Sequence, residues 1–307
     1  MDTQLAPPSR VAVIGGGTMG CGIAAGFLAY GWDVALLARD PQRFDAIRAQ
    51  TLALAETLAT PGPHGALALA TMDAFDGWAA QALVIETVKE DLALKQALFA
   101  QLDALVPAPI PVGSNSSSYA ISRIAEGLPT RARMFGMHYF MPAHRVPLVE
   151  VVLGADSDPA LAQRVCDMFA ATGKKPVLVK RDIPGFLANR IQHALMREVL
   201  TLIDSGIASP EDIDMAVRYS FGFRYAAIGP ILQKEMSGWD TSLRASAEIY
   251  PSLSNTTEVP ACLQRLVAEN KFGMKTGEGF LRWTPASAKA ARDAYDERLA
   301  AALRLLE

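Results

Sequence analysis

The chain has 307 residues, of which half are hydrophobic and a fifth are charged, and its net charge at pH 7 is −3. This composition is typical of a globular protein and argues against nucleic-acid binding, which usually needs a basic face. The length is sufficient for two domains.

Strands and helices are predicted to alternate through the first 180 residues. Apolar runs predict strands over 11–14, 33–38, 82–88 and 109–117. Helical patterns predict helices over 18–30, about 41–59 and 92–106. This alternation predicts an α/β fold with a Rossmann-type, doubly wound parallel sheet.

The pattern changes near residue 182. From Pro184 onward the segments are long and helical, with breaks at positions such as Gly206, Gly229-Pro230 and Gly238. We therefore predict a dinucleotide-binding domain over 1–182 and an all-α C-terminal domain over 183–307.

Targeting and cysteine patterns favour a reducing cytoplasm. The first ten residues, MDTQLAPPSR, lack the apolar core of a signal peptide, and no window of 18 uninterrupted apolar residues predicts a membrane span. The three cysteines, Cys21, Cys166 and Cys262, are far apart and form no CxxC pair. Neither a disulfide framework nor a zinc or other metal site is indicated.

A glycine motif, Gly15-x-Gly17-x-x-Gly20, follows the first strand and opens the first helix, with Thr18 and Met19 inside it. The glycines allow a tight turn and the close approach of a pyrophosphate, which binds at the positive end of the helix. These five residues are therefore predicted to bind a dinucleotide. A turn selected only for close packing of helix on strand is the alternative.

The end of the second strand bears on the choice between NAD and NADP. NAD-binding proteins usually have an acidic residue about 20 positions after the glycines, where it binds the ribose 2′-hydroxyl. Ala38 occupies that place here, and Arg39, which follows, would attract a 2′-phosphate. The pattern favours NADP slightly, although Asp40 is a rival acidic candidate and Arg39 is alternatively a solvated loop residue.

The segment FGMHYFMPAHRVPLVEVV, residues 135–152, places His138 and Glu150 twelve positions apart among apolar residues. Burying either group is costly unless it is paired, which raises the question of whether they pair with each other and form a catalytic base. A histidine suits that role because it titrates near neutral pH, and a buried carboxylate stabilises the imidazolium that forms. Two separately satisfied polar residues in the core are the alternative.

Six segments together resemble the L-3-hydroxyacyl-CoA dehydrogenase family, in the family's order and over nearly the whole chain. They are VAVIGGGTMGCGIA, VIETVKEDLALKQALF, SNSSSYAISRIA, GMHYFMPAHRVPLVEVV, KRDIPGFLANRI and KFGMKTGEGFLRW. The resemblance implies an NAD(P)-dependent dehydrogenase with its active site between the two domains, and a homodimer formed through the helical domain.

The resemblance also implies roles for individual residues. It implies that His138 is the general base and that Glu150 orients its imidazole. Ser117 and Asn189 match the family's polar substrate-contacting positions. Glu90 and Lys95 match the pair on the cofactor side.

Two departures from the family pattern concern the substrate. The family has His-x-x-Asn-Pro, whereas Met141 takes the asparagine position here and cannot donate the hydrogen bond of an amide. Acyl-CoA members carry a long, lysine-rich helical hairpin after the second strand, but no lysine precedes Lys89 in this chain. The segment FGFRYAAIGP is similar to the branch that acts on free hydroxy acids, such as gulonate dehydrogenase and lambda-crystallin.

We therefore predict oxidation of a secondary alcohol on a small free carboxylate, bound by Arg224 or, as a second candidate, Arg145. For each arginine an ion pair at the surface or an interface is the alternative. A true 3-hydroxyacyl-CoA dehydrogenase is the second functional hypothesis. A crystallin-like structural or binding protein is the third.

Overall fold

The structure, a computed structural model, describes residues 9–60 and 62–306. Most of the segment used to predict the absence of a signal peptide, residues 1–8, lies outside this range, as does Pro61. The chain divides into two compact units, the first ending at Arg190 and the second beginning at Ile191.

The first unit is built on an eight-stranded sheet. Its strands are β1 (Arg10–Ile14), β2 (Asp33–Leu37), β3 (Leu67–Ala70), β4 (Leu83–Glu86), β5 (Val112–Ser114), β6 (Met134–Tyr139), β7 (Leu148–Leu153) and β8 (Lys175–Val179). Their order in the sheet is β3-β2-β1-β4-β5-β6-β7-β8. Every neighbouring pair is parallel except β6 and β7, which are antiparallel.

Helices cover both faces of this sheet. They are α1 (Thr18–Ala29), α2 (Phe44–Glu56), α3 (Leu92–Leu105), α4 (Ile121–Ile124) and α5 (Pro159–Ala170). Alternate side chains of a strand point to opposite faces, and in β1 both sets are buried. Val11 and Val13 pack in one hydrophobic core, Ala12 and Ile14 in the other. The predicted Rossmann-type sheet is confirmed, and its central strands are mostly apolar because helices bury them from both sides.

The structure differs from the sequence prediction after β2. A short 3-10 turn over Pro41–Arg43 precedes α2, which ends at Glu56. The strand β3, with the sequence LALA, then pairs with β2. Four residues that alternate leucine with alanine carry little strand signal, and pairing with β2 decides their conformation.

The second unit is helical, apart from two isolated bridges in the turn over 273–282. Its helices are α6 (Ala188–Asp204, which starts in the first unit), α7 (Pro210–Val217), α8 (Phe223–Ala227), α9 (Pro230–Ser237), α10 (Trp239–Ile249), α11 (Ala261–Ala268) and α12 (Pro285–Leu303). The predicted helical C-terminal part is confirmed. No helix in the described part of the chain has the length and apolarity needed to cross a membrane.

Candidate active site

The antiparallel pairing of β6 with β7 brings the histidine and the glutamate together. His138 stands directly opposite Glu150 in the register. Opposed residues project from the same face of the sheet, so their side chains meet. The distance from His138 Nδ1 to Glu150 Oε2 is 2.8 Å, and the two side chains are 2% and 0% exposed. The pairing expected from the sequence is present in the structure.

The second carboxylate oxygen of Glu150 binds the start of α6. The backbone amides of Leu187 and Ala188 donate to Glu150 Oε1 over 3.0 and 2.7 Å. Burial by itself raises the pKa of Glu150, but the hydrogen bonds from His138 and from these amides lower it, and the net pKa is below the ordinary value. Glu150 is therefore ionised at neutral pH although it is buried.

A tight turn before α6 places these two amides. Gly185 has a φ of +75° and Phe186 a φ of +47°, which is rare for a residue with a side chain. The Phe186 ring is buried and lies 5.4 Å from the His138 ring, and the Phe140 ring lies 4.6 Å from it, both edge-on. The imidazole therefore contacts two aromatic rings.

The other nitrogen of the imidazole faces Ser117. In the neutral form of the imidazole, Nδ1 carries the proton that the ionised Glu150 carboxylate accepts, and Nε2 has a lone pair. The distance from Ser117 Oγ to His138 Nε2 is 3.1 Å, so the serine hydroxyl donates to that lone pair. Ser117 is exposed, and the basic nitrogen therefore lies near the protein surface.

A buried polar network lies beside this site, at the carboxyl ends of β4 and β5. Glu86 ends β4 and is fully buried, and Lys95 Nζ donates to both of its carboxylate oxygens over 2.8 and 3.0 Å. The Ser114 hydroxyl donates to Glu86 over 2.6 Å. The buried lysine is therefore neutralised by a carboxylate and not exposed to solvent.

Glu90 extends this network towards the surface. Its Oε1 accepts hydrogen bonds from Ser116 Oγ and from the Ser118 amide, and its Oε2 is 3.5 Å from Lys95 Nζ. Burial raises the pKa of Glu90, whereas these hydrogen bonds and Lys95 lower it, with a net pKa below the ordinary value. Glu90 and Lys95, predicted as a pair, lie together, and Glu90 is the more exposed of the two.

The glycine motif has the geometry expected of a dinucleotide-binding turn. Gly15 has a φ of +118°, and a Cβ on Gly20 would lie 1.7 Å from the Gly15 carbonyl oxygen. A Cβ on Gly17 would meet nothing within 4 Å, and this residue caps α1 without a side-chain hydrogen bond. The amino end of α1 is therefore accessible to a ligand, as pyrophosphate binding requires.

A cavity of about 680 Å³ opens at this turn, within the size range of ligand pockets. It is lined by the motif, by the ends of β2 and β4 and by α3; the lining residues are Ile14–Gly17, Leu37–Asp40, Arg43, Ile47, Thr71–Asp73, Thr87–Lys89, Leu94, Ala97, Leu98 and Gln101. An elongated dinucleotide fits this combination of a glycine turn, an open helix terminus and an adjoining cavity. Thr18 and Met19 begin α1 next to it.

Two arginines line the part of the cavity beyond β2. Arg39 and Arg43 both contribute to the lining and both are exposed. Asp40 lines it as well, but its carboxylate accepts the Gln42 amide over 3.0 Å and so caps the 3-10 turn. The rival acidic candidate thus already has a structural partner.

The remaining candidates are less closely connected to the histidine. Asn189 is half-buried and follows Ala188, whose amide binds Glu150. Met141 is 66% exposed, and Arg145 lies in the same loop between β6 and β7. Arg224 is exposed on α8 of the second unit.

Some features of the site were not predicted from the sequence. Glu86 had a usable signal, since it is a charged residue that ends the apolar run LVIE, much as Glu150 interrupts LVEVVL. The amides of Leu187 and Ala188 have no side-chain signature, and Arg43 lies outside every sequence motif used to predict the site.

Comparisons with known proteins agree with this geometry. Residues 10–183 match the family model described as 3-hydroxyacyl-CoA dehydrogenase, NAD binding domain, and residues 185–283 match its C-terminal domain. The chain is 33% identical to 5-formyl-3-hydroxy-2-methylpyridine 4-carboxylate 5-dehydrogenase of Mesorhizobium japonicum, over 97% of this chain and 98% of that protein. It is 34% identical to L-carnitine dehydrogenase of Streptomyces griseus, over 80% of this chain and 75% of that protein.

Acyl-CoA enzymes are also similar. Human mitochondrial hydroxyacyl-coenzyme A dehydrogenase is 33% identical over 89% of this chain and 91% of that protein. A solved 3-hydroxyacyl-CoA dehydrogenase from Archaeoglobus fulgidus superposes with a TM-score of 0.69 at 27% identity, covering 97% and 99% of the two chains. The solved pyridine carboxylate dehydrogenase, described as an NAD+ dependent dismutase, gives a TM-score of 0.88 at 31% identity, covering 97% and 98%.

Proposed function

The chain belongs to the 3-hydroxyacyl-CoA dehydrogenase family, and from that premise we propose that it oxidises an alcohol on a small free carboxylate. Membership of the family, which the sequence motifs predict, is confirmed by the matches to both domains. The chain is therefore an oxidoreductase that acts on CH–OH groups and contains an NAD-binding domain. The proposal concerns the substrate and the residues that act on it.

The observation that carries the proposal is the full-length similarity to an enzyme named for a pyridine carboxylate. That enzyme has a TM-score of 0.88 to this chain, against 0.69 for the acyl-CoA dehydrogenase of similar length. A second relative is named for L-carnitine, a small molecule that carries both a hydroxyl and a carboxylate. The similarity therefore favours a substrate that carries its own carboxylate.

The segment between β2 and β3 supports the same proposal. Its described residues form one 13-residue helix, α2, after the 3-10 turn. The only lysines or arginines from position 41 to 70 are Arg43 and Arg48. Arg43 lines the dinucleotide cavity and Arg48 donates to the Leu67 carbonyl, so neither is set aside for the phosphates of coenzyme A.

We propose His138 as the general base of this oxidation. Its Nε2 lone pair takes the proton of the substrate hydroxyl, and the Ser117 hydroxyl oxygen, 3.1 Å from Nε2, supports this role because a hydroxyl already reaches that nitrogen. The bound dinucleotide supplies the hydride acceptor. In the reverse direction the imidazolium returns the proton to the oxygen.

Glu150 stabilises the imidazolium that this step creates. Its carboxylate is 2.8 Å from Nδ1 and is held in place by the two amides at the start of α6. The proposed roles of Ser117 and Asn189 are to bind the substrate oxygen, and those of Glu90 and Lys95 are to order the cofactor side of the site.

We further propose that the cavity accepts NADP as well as NAD. Arg39 and Arg43 both line it, and a guanidinium can bind a 2′-phosphate with two hydrogen bonds. A hydrogen bond to a charged group contributes about 1.5–3 kcal/mol, which corresponds to roughly tenfold to a hundredfold in affinity. We expect Arg39→Val to lower NADP affinity by about this factor and to leave NAD affinity unchanged, with both measured by titration. If the ratio of NADP affinity to NAD affinity were the same in Arg39→Val as in the native protein, Arg39 would be a solvated loop residue.

Activity measurements on a defined panel test the substrate proposal. The panel contains the alcohols L-carnitine, 3-hydroxybutyrate and 3-hydroxybutyryl-CoA, together with 5-formyl-3-hydroxy-2-methylpyridine 4-carboxylate, whose formyl group presents a CH–OH as its hydrate; each is assayed with both cofactors. We expect a free acid to give the highest kcat/KM.

Arg224→Met and Arg145→Met, measured separately, test which arginine binds the substrate carboxylate. The variant that lacks the binding arginine should have a raised KM for the free acid. A much higher kcat/KM for the CoA thioester would refute the proposal.

The second candidate is a 3-hydroxyacyl-CoA dehydrogenase. The human mitochondrial enzyme is as similar in sequence to this chain as the pyridine carboxylate enzyme, at 33% identity. The match to the human enzyme covers 89% of this chain, whereas the match to the pyridine carboxylate enzyme covers 97%. For this reason we rank a CoA thioester second among the possible substrates.

We propose that the protein forms a homodimer through its second unit. Large apolar side chains that are at least 60% exposed are concentrated there; they are Ile191, Ile207, Met215, Tyr219, Phe223, Ile231, Met236, Leu243, Tyr250 and Leu305. Exposed apolar surface of this extent is typical of a protein interface.

We propose the cytoplasm as the compartment. Cys21, Cys166 and Cys262 are free and buried, which suits a reducing environment. Fractionation of cells that produce the native protein tests this, and recovery with a secreted fraction would contradict it.

A further inference from the structure

Lys174 is a buried lysine whose ammonium group binds backbone carbonyls. It lies between α5 and β8 and is 7% exposed. Its Nζ is 2.6 Å from the Ala143 oxygen, 2.8 Å from the Val146 oxygen and 3.5 Å from the His144 oxygen. All three carbonyls belong to the segment that joins β6 to β7, residues 140–147, here called the β6–β7 loop.

The helix opened by the glycine motif also contacts this loop. A Cβ on Gly22 of α1 would lie 3.2 Å from the Ala143 Cβ, so α1 and the loop are in close contact. Within the loop, the amides of Arg145 and Val146 both donate to the Pro142 oxygen over 3.0 Å. The loop therefore contacts α1 at Ala143 and the Lys174 ammonium through its carbonyls.

The β6–β7 loop starts two residues after His138 and carries two of the candidate substrate contacts. Met141 is 66% exposed, and Arg145 lies four residues further along. Both ends of the loop are fixed by strands of the sheet. The hydrogen bonds from Lys174 Nζ to the loop carbonyls therefore determine where the middle of the loop lies relative to the imidazole.

The ammonium group has a cost that an apolar side chain in its place would avoid. Burial lowers the pKa of Lys174 to about 8 from 10.5. The centre of the Tyr139 ring is 5.7 Å from Nζ, and burial raises the pKa of its phenol, which therefore brings no negative charge. What the lysine supplies is a set of three hydrogen-bond donors for the loop carbonyls.

We propose that Lys174 is a positioning residue for substrate binding, which holds the β6–β7 loop so that Met141 and Arg145 stand at the correct distance from His138. This inference rests on the proposed function, because it takes the loop as part of the substrate site. Lys174 acts through the loop and does not touch the substrate.

The test compares Lys174→Met and Lys174→Arg with a matched control, Lys175→Met, at the exposed neighbouring position. We expect Lys174→Met to raise the KM for the preferred free acid by about tenfold or more, as for the loss of one hydrogen bond to a charged group. The NAD dissociation constant should stay within about twofold of the native value. If the substitution destabilised the whole first unit, NAD binding would weaken as well. Lys174→Arg keeps a cationic donor and should recover most of the substrate affinity.

Hydrogen–deuterium exchange of the amides of residues 141–147, without substrate, gives a readout that does not depend on the reaction. Exchange should be faster in Lys174→Met and native-like in Lys175→Met. If exchange is unchanged, or if KM stays native, the positioning role is wrong. A KM increase with an equal loss of NAD affinity also contradicts it. If the native protein oxidises no acid of the panel, the proposed function fails, and the exchange data decide whether Lys174 holds the loop.

Discussion

His138 is the residue on which the proposed chemistry depends most directly. Replacing it with glutamine removes the base, and we expect kcat to fall by about 10²–10⁴. Dinucleotide binding should remain native, because the cavity at the glycine motif does not include this side chain. Steady-state kinetics and a cofactor titration measure the two effects. The control is His64→Gln, a histidine exposed in the loop before β3. If His138→Gln retained the native kcat, His138 would not be the general base.

Glu150 should affect the rate by a different route. Glu150→Gln is nearly isosteric but removes the counter-charge of the imidazolium, so we expect a lower kcat with the fold retained.

Because the pKa of Glu150 is lowered in the folded protein, its contribution to stability is present above the unfolded pKa and is lost as the pH falls through the folded pKa. Acid unfolding of the variant, followed by circular dichroism, should therefore depend less on pH than that of the native protein.

Lys174 should make stability depend on pH in the alkaline range. Its pKa is about 8 in the folded protein and 10.5 without the fold. Between these values the unfolded chain holds a proton that the folded chain has lost, so the free energy of unfolding rises with pH, by up to about 3 kcal/mol. Below pH 8 both states hold the proton and this pH dependence vanishes.

Urea denaturation from about pH 7 to pH 10 measures this dependence. Lys174→Met should remove the alkaline rise, and Lys175→Met should retain it. A rise that is the same in all three proteins would show that other groups cause it.

At the scale of elements, the glycines of the β1–α1 unit should have three different roles. Gly20→Ala places a Cβ 1.7 Å from the Gly15 oxygen, so we expect both a lower melting temperature and weak dinucleotide binding. Gly17→Ala meets nothing within 4 Å, so the fold should be native while binding weakens, because the pyrophosphate approaches there. Thermal unfolding measures the effect of each variant on stability, and dinucleotide titration measures its effect on binding.

Gly26→Ala, further along α1, is the matched control. It also meets nothing within 4 Å, and alanine is favoured over glycine in a helix by about 1 kcal/mol. We expect native binding and equal or higher stability. If Gly17→Ala bound dinucleotide as tightly as Gly26→Ala does, the assignment of the helix terminus to the pyrophosphate would be wrong.

The elements also show why some predictions from sequence succeeded. Apolar runs such as those of β1 and β4 were predicted correctly because burial on both faces favours apolar residues at nearly every position. The strand β3 was missed because the pattern LALA is equally compatible with a helix, and its pairing with β2 is a long-range contact.

At the scale of the whole molecule, the exposed apolar residues of the second unit predict self-association. We expect the native protein to be a dimer by light scattering, and the double variant Met236→Glu/Leu243→Glu, at side chains that are 75% and 72% exposed, to be a monomer. Leu105→Glu, at a side chain of the first unit that is 45% exposed, is the control and should remain a dimer. A native protein that is monomeric at all concentrations tested would contradict the proposal.

The amino-acid sequence by itself determined the Rossmann-type class, the glycine turn, the family and the candidates His138 and Glu150, because these depend on local patterns and residue types. Only the tertiary structure decided that β7 runs antiparallel to β6, which places the two side chains opposite each other. It alone revealed the partners of the buried charges: the amides of Leu187 and Ala188 for Glu150, and the loop carbonyls for Lys174. The physical reason is that backbone amides and carbonyls are the same in every residue but proline, so the fold, and not the sequence pattern, determines which of them meet a charge.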